Sequence, residues 1–183
     1  TYHPIKAAND PLRYVTGWAT GNSPAHINEI LAINNSTNVD ENSEYEDWVE
    51  IYNSSANALP VGGMFLTDDV TKPTKWEIPA NTSIPADGTI LIWCDEDGSQ
   101  GPLHANFKLS GSGEEVILFD TDGITQLSQL QFGQQAADVS IGWREDGTAT
   151  QLVAYKKYNG SGSGPSYDAK NDPGQGARGF WPL

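Results

Sequence analysis

Residues 46–53 read Glu-Asp-Trp-Val-Glu-Ile-Tyr-Asn, a run in which aliphatic side chains alternate with polar and aromatic ones. Because successive side chains of a strand point to opposite faces of the sheet, Val49 and Ile51 share one face. We expect this aliphatic pair to face a hydrophobic core. The opposite face of the same predicted strand carries Trp48, Glu50 and Tyr52.

Short apolar runs of the same kind continue along the chain on both sides of this stretch. Gly, Pro, Asn or Asp stands at nearly every break between them. Such spacing is typical of a sandwich or a barrel and not of alternating strands and helices. The predicted strands are Ile27–Asn34, Asp47–Asn53, Met64–Thr67, Lys75–Ile78, Thr89–Cys94, Asn106–Leu109, Glu114–Phe119, Leu127–Phe132 and Val139–Trp143.

The run Glu114–Phe119 differs from the others because both of its faces are apolar beyond the charged start. Val116 and Leu118 share one face, and Ile117 and Phe119 share the other. A strand that is apolar on both faces is typical of a position buried on both sides. This pattern predicts a central strand.

Seven motifs follow one another along the predicted strands: Asn28–Leu31, Glu46–Asn53, Gly63–Asp69, Trp76–Pro79, Ile84–Gly88, Asn106–Val116 and Ala137–Gly142. In this order they resemble the lamin tail domain, the immunoglobulin-like module of nuclear lamins that also occurs in bacterial secreted and multidomain proteins. The resemblance covers about residues 27–147. It implies an all-β, immunoglobulin-like β-sandwich of about nine short strands with almost no helix, and it supplies no catalytic residues.

The two ends of the chain differ in composition from the predicted sandwich. Residues 1–25 contain prolines and little periodicity, which favours a linker or the edge of a neighbouring unit. Residues 155–183 are rich in Gly, Ser and Pro, a composition that costs much entropy to order. The predicted sandwich therefore occupies residues 26–154, between these two segments.

Charge restricts the classes of partner. Ten Lys and Arg against 24 Asp and Glu give a formal net charge of -14, and the cations are scattered along the chain. Such a charge repels phosphate backbones and anionic headgroups at long range. No apolar run approaches the roughly 20 residues that a membrane-spanning helix needs. We therefore expect no direct nucleic-acid binding and no membrane insertion.

Histidine, cysteine and serine form no catalytic or zinc motif in the sequence. His3, His26 and His104 are far apart and Cys94 is the single cysteine, whereas zinc ligands usually come in closely spaced pairs. We interpret the imidazoles as solvated and Cys94 as a small buried side chain. No Gly-x-Ser-x-Gly elbow precedes a helix. The sequence thus predicts neither a nucleophile nor a zinc site.

Carboxylates are the richest chemical resource of the chain. Acidic tracts that end in Asp-Gly occur at residues 95–98, 120–123 and 145–147, but none fits the calcium loop of an EF-hand. We interpret them as tight turns, because Gly readily adopts positive φ. Six other carboxylates would suit Ca²⁺ if the first two strands pair, with a solvated acidic loop as the alternative. This predicted calcium set is Glu29, Glu46, Asp47, Glu50, Asp68 and Asp69.

Aromatic side chains invite a glycan-binding interpretation. Trp48 and Tyr52 share the outward side of one predicted strand, and Trp76 lies in another. Aromatic faces on a sandwich can stack on sugar rings, although core or edge packing is the commoner use of Trp. Both interpretations stay open for these three residues.

The resemblance and the absence of catalytic groupings lead to one leading hypothesis: a non-catalytic binding or tethering module of a secreted or surface bacterial multidomain protein. Its expected contacts are a protein partner or neighbouring domains of the same chain, outside the cell or at its surface, with the periplasm as an alternative. No cofactor is expected apart from calcium. Two alternatives are a calcium-assisted carbohydrate-binding module attached to a hydrolase, and a hydrolase whose paired carboxylates, Glu29 and Glu50, lie in a cleft.

Overall fold

The computed structural model describes residues 16–19, 23–143 and 152–156, with side-chain surroundings for residues 23–142. Every regular element in these ranges is a strand. The strands are β1 Thr16–Ala19, β2 Ala25–Leu31, β3 Asp47–Asn53, β4 Leu59–Pro60, β5 Phe65–Thr67, β6 Trp76–Glu77, β7 Ser83–Ile84, β8 Thr89–Cys94, β9 His104–Ala105, β10 Glu114–Phe119, β11 Gln126–Phe132, β12 Val139–Trp143 and β13 Leu152–Lys156.

Most of these strands form two sheets that enclose one core. The first sheet has the order β1-β11-β10-β5-β6 and the second β13-β12-β2-β3-β8-β9, while β4 and β7 form a separate ribbon. The pairings are antiparallel except that of β8 with β9. The described part of the chain is therefore an all-β, immunoglobulin-like β-sandwich, as predicted. It contains no helix long and apolar enough to cross a membrane.

The core lies between the two sheets. Val49 and Ile51 are fully buried in it, which confirms the predicted inward face of β3. The amide N–H of Ile27 in β2 donates to Ser128 Oγ in β11 over 3.0 Å, so a buried hydrogen bond also joins the sheets. Burial of a large aliphatic side chain stabilises a fold by about 1.5–3 kcal/mol. Burial of the inward-facing aliphatic side chains thus stabilises the sandwich, and the alternation in the sequence places them on that face.

Strand β10 lies between β11 and β5 in the first sheet. Residues 116–119 are all buried, whereas Glu114 and Glu115 at the start are half-buried. The prediction of a central strand with two apolar faces is confirmed. The two faces have different surroundings. Val116 and Leu118 belong to the main core cluster, whereas Ile117 and Phe119 are buried on the other face, outside that cluster.

One predicted strand, Asn106–Leu109, is wrong. Phe107 and Leu109 are buried, so the alternation correctly indicated burial. Within this segment only Lys108 pairs through its backbone, in an isolated β-bridge with Asp95. The strand in this region is β9, which starts two residues earlier and runs parallel to the end of β8.

Several strands were not predictable from periodicity. The ribbon strands β4 and β7 have two residues each, too few to show an alternating pattern. Strand β1 lies within residues 1–25 and pairs with β11, and β13 extends past residue 154 and pairs with β12. The proposed boundaries otherwise stay a prediction, because most of the two terminal segments lies outside the described residues.

Two of the Asp-Gly tracts form turns, as predicted. Between β10 and β11, the Asp120 N–H donates to the Thr125 carbonyl over 2.8 Å, and Gly123 has a φ of +66°. After β8, the Gln100 N–H donates to the Asp97 carbonyl over 3.0 Å. The third tract, residues 145–147, lies outside the described residues.

Candidate functional site

Two loops meet at one end of the six-stranded sheet, and together we call them the loop junction. The first, residues 32–46, connects β2 to β3, and the second, residues 95–103, connects β8 to β9. They meet because β3 pairs with both neighbours: Trp48 lies opposite Leu31 of β2 and opposite Trp93 of β8. The end of β2, the start of β3 and the end of β8 are therefore adjacent.

Polar side chains hold the first loop in place. Asp138 Oδ1 accepts the N–H groups of Asn35 and Ser36 over 2.7 and 2.8 Å, and also the Thr37 hydroxyl over 3.1 Å. Asn34 Nδ2 donates to two further loop carbonyls, each over 2.8 Å. Backbone groups without a strand or helix partner need such side-chain partners. The loop therefore has one defined shape although it lacks regular secondary structure.

Asp40 closes a turn inside this loop. Its Oδ1 atom accepts the N–H groups of Asn42 and Glu44, each over 2.8 Å. Directly after the loop, Trp48 donates its indole N–H to Asn38 Oδ1 over 2.9 Å. The loop is thus tied both to itself and to the first residues of β3.

The second loop is tied to the first. The Asp97 N–H donates to Asp95 Oδ1 over 2.9 Å, which fixes the start of the loop. Gln100 Nε2 then reaches across and donates to Glu44 Oε2 over 2.6 Å. Side-chain contacts therefore join the two loops although they are distant in sequence.

His104 lies at the centre of the loop junction and is 2% exposed. Its Nδ1 atom forms a very short contact with Asp95 Oδ2, and its Nε2 atom lies 3.1 Å from Glu41 Oε1. Burial by itself lowers the pKa of His104, but the hydrogen bonds with Asp95 and Glu41 outweigh it, so the pKa is raised. The interpretation of His104 as a solvated imidazole is therefore wrong.

His26 is also buried, contrary to the same prediction. Its Nε2 atom lies 3.0 Å from Ser54 Oγ, and burial lowers its pKa. Neither result was predictable from the residues nearby, because neither histidine stands inside a long apolar run. Strand pairing buries His26, whereas β9 carries His104 into the loop junction.

Three buried side chains in the loop junction can offer donor atoms to a metal ion. Asp40, Asp95 and His104 each supply one such atom, and these atoms lie within 4.8 Å of one another. No other group of three or more His, Cys, Asp or Glu residues meets this criterion among the described residues. Sequence reasoning missed the cluster. The acidic tract directly after the apolar strand β8 was its one visible signal.

The predicted calcium set is distributed over several places. Glu29 and Glu50 lie directly opposite each other in the pairing of β2 with β3. Glu29 Oε1 accepts the Ser140 hydroxyl, and Glu50 Oε1 accepts an N–H of Asn28 over 2.8 Å. Both carboxylates are 2% exposed and take part in the hydrogen bonding of their sheet face. They therefore do not line an open cleft.

The remaining members of that set have other local partners. Asp68 forms an ion pair with Lys75 at 2.6 Å, and Asp69 with Lys72 at 3.2 Å. Glu46 lies 3.7 Å from the Lys108 ammonium. Burial raises the pKa of Asp47 to about 6, against the effect of the N–H groups of Asn34 and Leu109. The described residues thus do not gather the six carboxylates around one point, and calcium binding stays a prediction.

The three predicted glycan-stacking residues occupy different environments. Trp48 is 1% exposed and packs with Leu31 and Trp93 in a second apolar cluster. Tyr52 is buried and its hydroxyl donates to Asp87. Trp76 is half-buried and packs against the main core. The packing interpretation accounts for all three positions.

The first loop also carries the exposed apolar side chains of the loop junction. Tyr45 is 49% exposed and Val39 is 43% exposed. Glu41 and Glu44, both exposed, lie between them in the sequence. An aromatic and an aliphatic side chain with a carboxylate border are therefore displayed on a loop of defined shape.

Comparison with known proteins agrees with this architecture. A family model described as Lamin Tail Domain matches residues 19–134, more than half of the chain. The match includes β2 to β11 and both loops of the loop junction. No curated protein sequence matches the chain. The chain belongs to the lamin tail domain family.

Proposed function

We propose that the chain is a non-catalytic module that binds a protein partner, or a neighbouring domain of its own chain, through the loop junction. The observation that carries this proposal is the display of Tyr45 and Val39 on a loop fixed by its own hydrogen bonds. Membership of the lamin tail domain family supports an immunoglobulin-like protein-interaction module.

The order of the loop favours binding. Fixing a mobile loop on association costs free energy, and a loop that is already fixed avoids most of that cost. Aromatic side chains such as Tyr45 are common anchors at protein interfaces, where the ring is buried and the hydroxyl stays bonded. The loop junction therefore combines a preorganised backbone with an anchor side chain.

The carboxylates of the loop junction define the chemistry of the partner. Glu41 and Glu44 border the apolar side chains, and the whole chain carries a formal charge of -14. A complementary partner surface has an apolar recess with Lys or Arg at its rim. Such charges increase the association rate and exclude acidic surfaces.

We propose a secreted or surface-attached bacterial protein as the setting of this contact.

Site-specific photo-crosslinking tests the proposal. A photoreactive phenylalanine replaces Tyr45 in the full-length protein in its native host, and the matched control carries it at Ile124, which is 80% exposed in the turn between β10 and β11. We expect one discrete crosslink from position 45, weakened by Glu44→Gln, and none from position 124. Mass spectrometry identifies it as an adduct with another protein or as a link to another domain of the same chain. No crosslink of either kind from position 45, or equal crosslinks from both positions, would overturn the proposal.

Neither alternative function gains support from a described residue. Trp48 and Tyr52 present no free ring face to a sugar, and Glu29 and Glu50 are buried within the sheet. A glycan array with and without EGTA provides the complementary measurement. We expect no glycan to bind in either condition. Binding that EGTA abolishes would favour a calcium-assisted carbohydrate-binding module instead.

A further inference from the structure

We propose that Asp40, Asp95 and His104 form a binding site for a single divalent transition-metal ion of the Zn²⁺ type. This site lies beneath the exposed side chains of the same loop junction, but the inference does not rest on the protein contact proposed above. Three donor atoms lie close together there, one buried carboxylate oxygen has no hydrogen-bond partner, and the donor set suits such an ion.

The positions fit a metal ion. The three donor atoms lie within 4.8 Å of one another, and all three residues are buried. Around a tetrahedral Zn²⁺ with bonds of about 2.0–2.1 Å, neighbouring donors are about 3.4 Å apart. Small side-chain movements therefore bring the three atoms into coordinating distance.

The second observation is an unsatisfied carboxylate oxygen. Asp40 is 6% exposed, and its Oδ1 atom is occupied by two backbone N–H groups. Its Oδ2 atom is buried and accepts no hydrogen bond. A buried carboxylate oxygen without a partner has lost its hydration and gained nothing in exchange, which is a cost in free energy. Coordination to a cation would remove that cost.

The donor set favours a transition metal over calcium. Ca²⁺ and Mg²⁺ are bound almost entirely by oxygen atoms, whereas this cluster includes an imidazole. One imidazole with carboxylates is a common ligand set for Zn²⁺ and related ions. Glu41, whose Oε1 atom lies 3.1 Å from His104 Nε2, is the nearest further carboxylate. A water molecule would complete the coordination in the usual way.

The surroundings hold the ligands in place. Backbone N–H groups orient Asp40 through Oδ1, and the Asp97 N–H orients Asp95 through its Oδ1. Such supporting hydrogen bonds fix metal ligands and raise affinity by about 10- to 100-fold. Gly101 leaves room for Glu41 beside the imidazole, because a Cβ atom there would lie 2.5 Å from Glu41 Oε1.

Calorimetry with ZnCl₂ tests the proposal on the untagged full chain after chelator treatment. We expect one equivalent of Zn²⁺ to bind, and CaCl₂ and MgCl₂ to give no saturable heat. Absorption of the Co²⁺-loaded protein is an independent measurement, since ligand-field bands report nitrogen and oxygen donors around the ion. Absence of saturable Zn²⁺ binding to the wild-type chain would overturn the proposal without reference to any variant.

Variants then locate the ion. Asp40→Asn and His104→Gln should each weaken Zn²⁺ binding about tenfold or more, because a neutral amide replaces the carboxylate or the imidazole nitrogen. The matched controls are Asp122→Asn, in a turn outside the cluster, and His26→Gln, and both should bind as the wild type does. Circular dichroism verifies that each variant is folded. Equal binding by folded Asp40→Asn, or a loss in the control variants alone, would contradict the site.

Discussion

The loop junction and the segment that follows β5 both contain acidic side chains close together in sequence. The two regions differ in the partners of these carboxylates. After β5, Asp68 and Asp69 are each paired with a lysine a few residues away. In the loop junction, Asp40 and Asp95 come from different loops and are buried around one imidazole. The charge of Asp68 and Asp69 is thus compensated by lysines that are near in sequence.

This contrast explains why density of carboxylates in the sequence is a poor guide to a site. The lysine beside each aspartate after β5 compensates its charge locally, and the exposed Asp69–Lys72 pair contributes little to stability. Carboxylates brought together by strand pairing remain near one another after local bonds are made. The candidate site is therefore marked by side chains that come together from distant parts of the sequence, and not by a high local number of carboxylates.

The largest expected effect concerns the support beneath the loop junction. Trp48→Ala removes a large buried side chain and its hydrogen bond to Asn38, so we expect the free energy of unfolding to fall by about 3–5 kcal/mol. Trp48→Phe keeps most of the apolar contact and should cost about 1–2 kcal/mol. Chemical denaturation measures both values. Equal losses in the two variants would show that the hydrogen bond, and not the packing, carries the effect.

The next effect concerns the anchor of the first loop. Asp138→Ala removes an acceptor shared by the N–H groups of Asn35 and Ser36, so we expect a loss of about 2–3 kcal/mol in denaturation at pH 7. The matched change after β5, Asp69→Ala, should cost clearly less, because that carboxylate bonds only to its sequence neighbours Thr71 and Lys72 and joins no distant parts of the chain. A larger loss from Asp69→Ala would reverse the comparison.

The Asp138 anchor should also depend on pH. Burial would raise the pKa of this carboxyl, but the hydrogen bonds from Ser36, Asn35 and Thr37 outweigh it and lower the pKa. The stabilisation is therefore complete above the unfolded pKa of about 4 and is lost as pH falls through the folded pKa. The difference between wild type and Asp138→Ala should shrink accordingly in denaturation below pH 4.

A smaller effect of opposite sign is expected at Glu114. Burial raises the pKa of Glu114 to about 7, against the Ser110 N–H bond. The folded chain then binds more protons than the unfolded chain between pH 4.5 and about 7, so this carboxyl lowers stability as pH rises through that window. Glu114→Gln should be about 1–2 kcal/mol more stable than wild type at pH 8.

The neighbouring Glu115→Gln is the matched control for this measurement. Its side chain accepts a hydrogen bond from Gln129 instead, and Glu114 remains in place. Denaturation of this variant at a series of pH values should keep the fall in stability that Glu114 causes. Loss of that fall in Glu115→Gln, or its persistence in Glu114→Gln, would assign the effect to another group.

The smallest expected effect is at the surface pair after β5. Lys72→Ala removes an exposed ion pair with Asp69, and exposed pairs of this kind are screened by water and salt. We expect the midpoint of thermal unfolding to stay within experimental error of the wild type. A clear decrease that high salt abolishes would show that the paired acids matter more than the comparison allows.

The fold was predictable where alternation and breaking residues coincide. Asp47–Asn53 and Glu114–Phe119 both have the predicted bounds. The first alternates aliphatic with polar and aromatic side chains, and the second is a continuous apolar run after two glutamates, between Gly113 and Asp120. Asn106–Leu109 failed since alternation reports burial, and burial does not require a ladder partner. Periodicity thus predicts faces better than it predicts pairing.

The candidate site was not predictable in the same way. Asp40 lies in the first loop and His104 in β9, and their proximity depends on β3 pairing with both β2 and β8. Nothing in the local sequence of His104 indicates that Asp95 will face it across the start of a parallel pair. The pairing order of the strands, which the sequence does not display, creates the site.

The most direct measurement is an amide NMR titration of the chelator-treated, ¹⁵N-labelled chain with ZnCl₂. If the loop junction is where side chains converge, the perturbed amides should cluster in residues 38–44 and 95–105. The amides of residues 67–75, where each aspartate has its own lysine, should not shift. Perturbation of residues 67–75 with an unchanged loop junction would contradict the account.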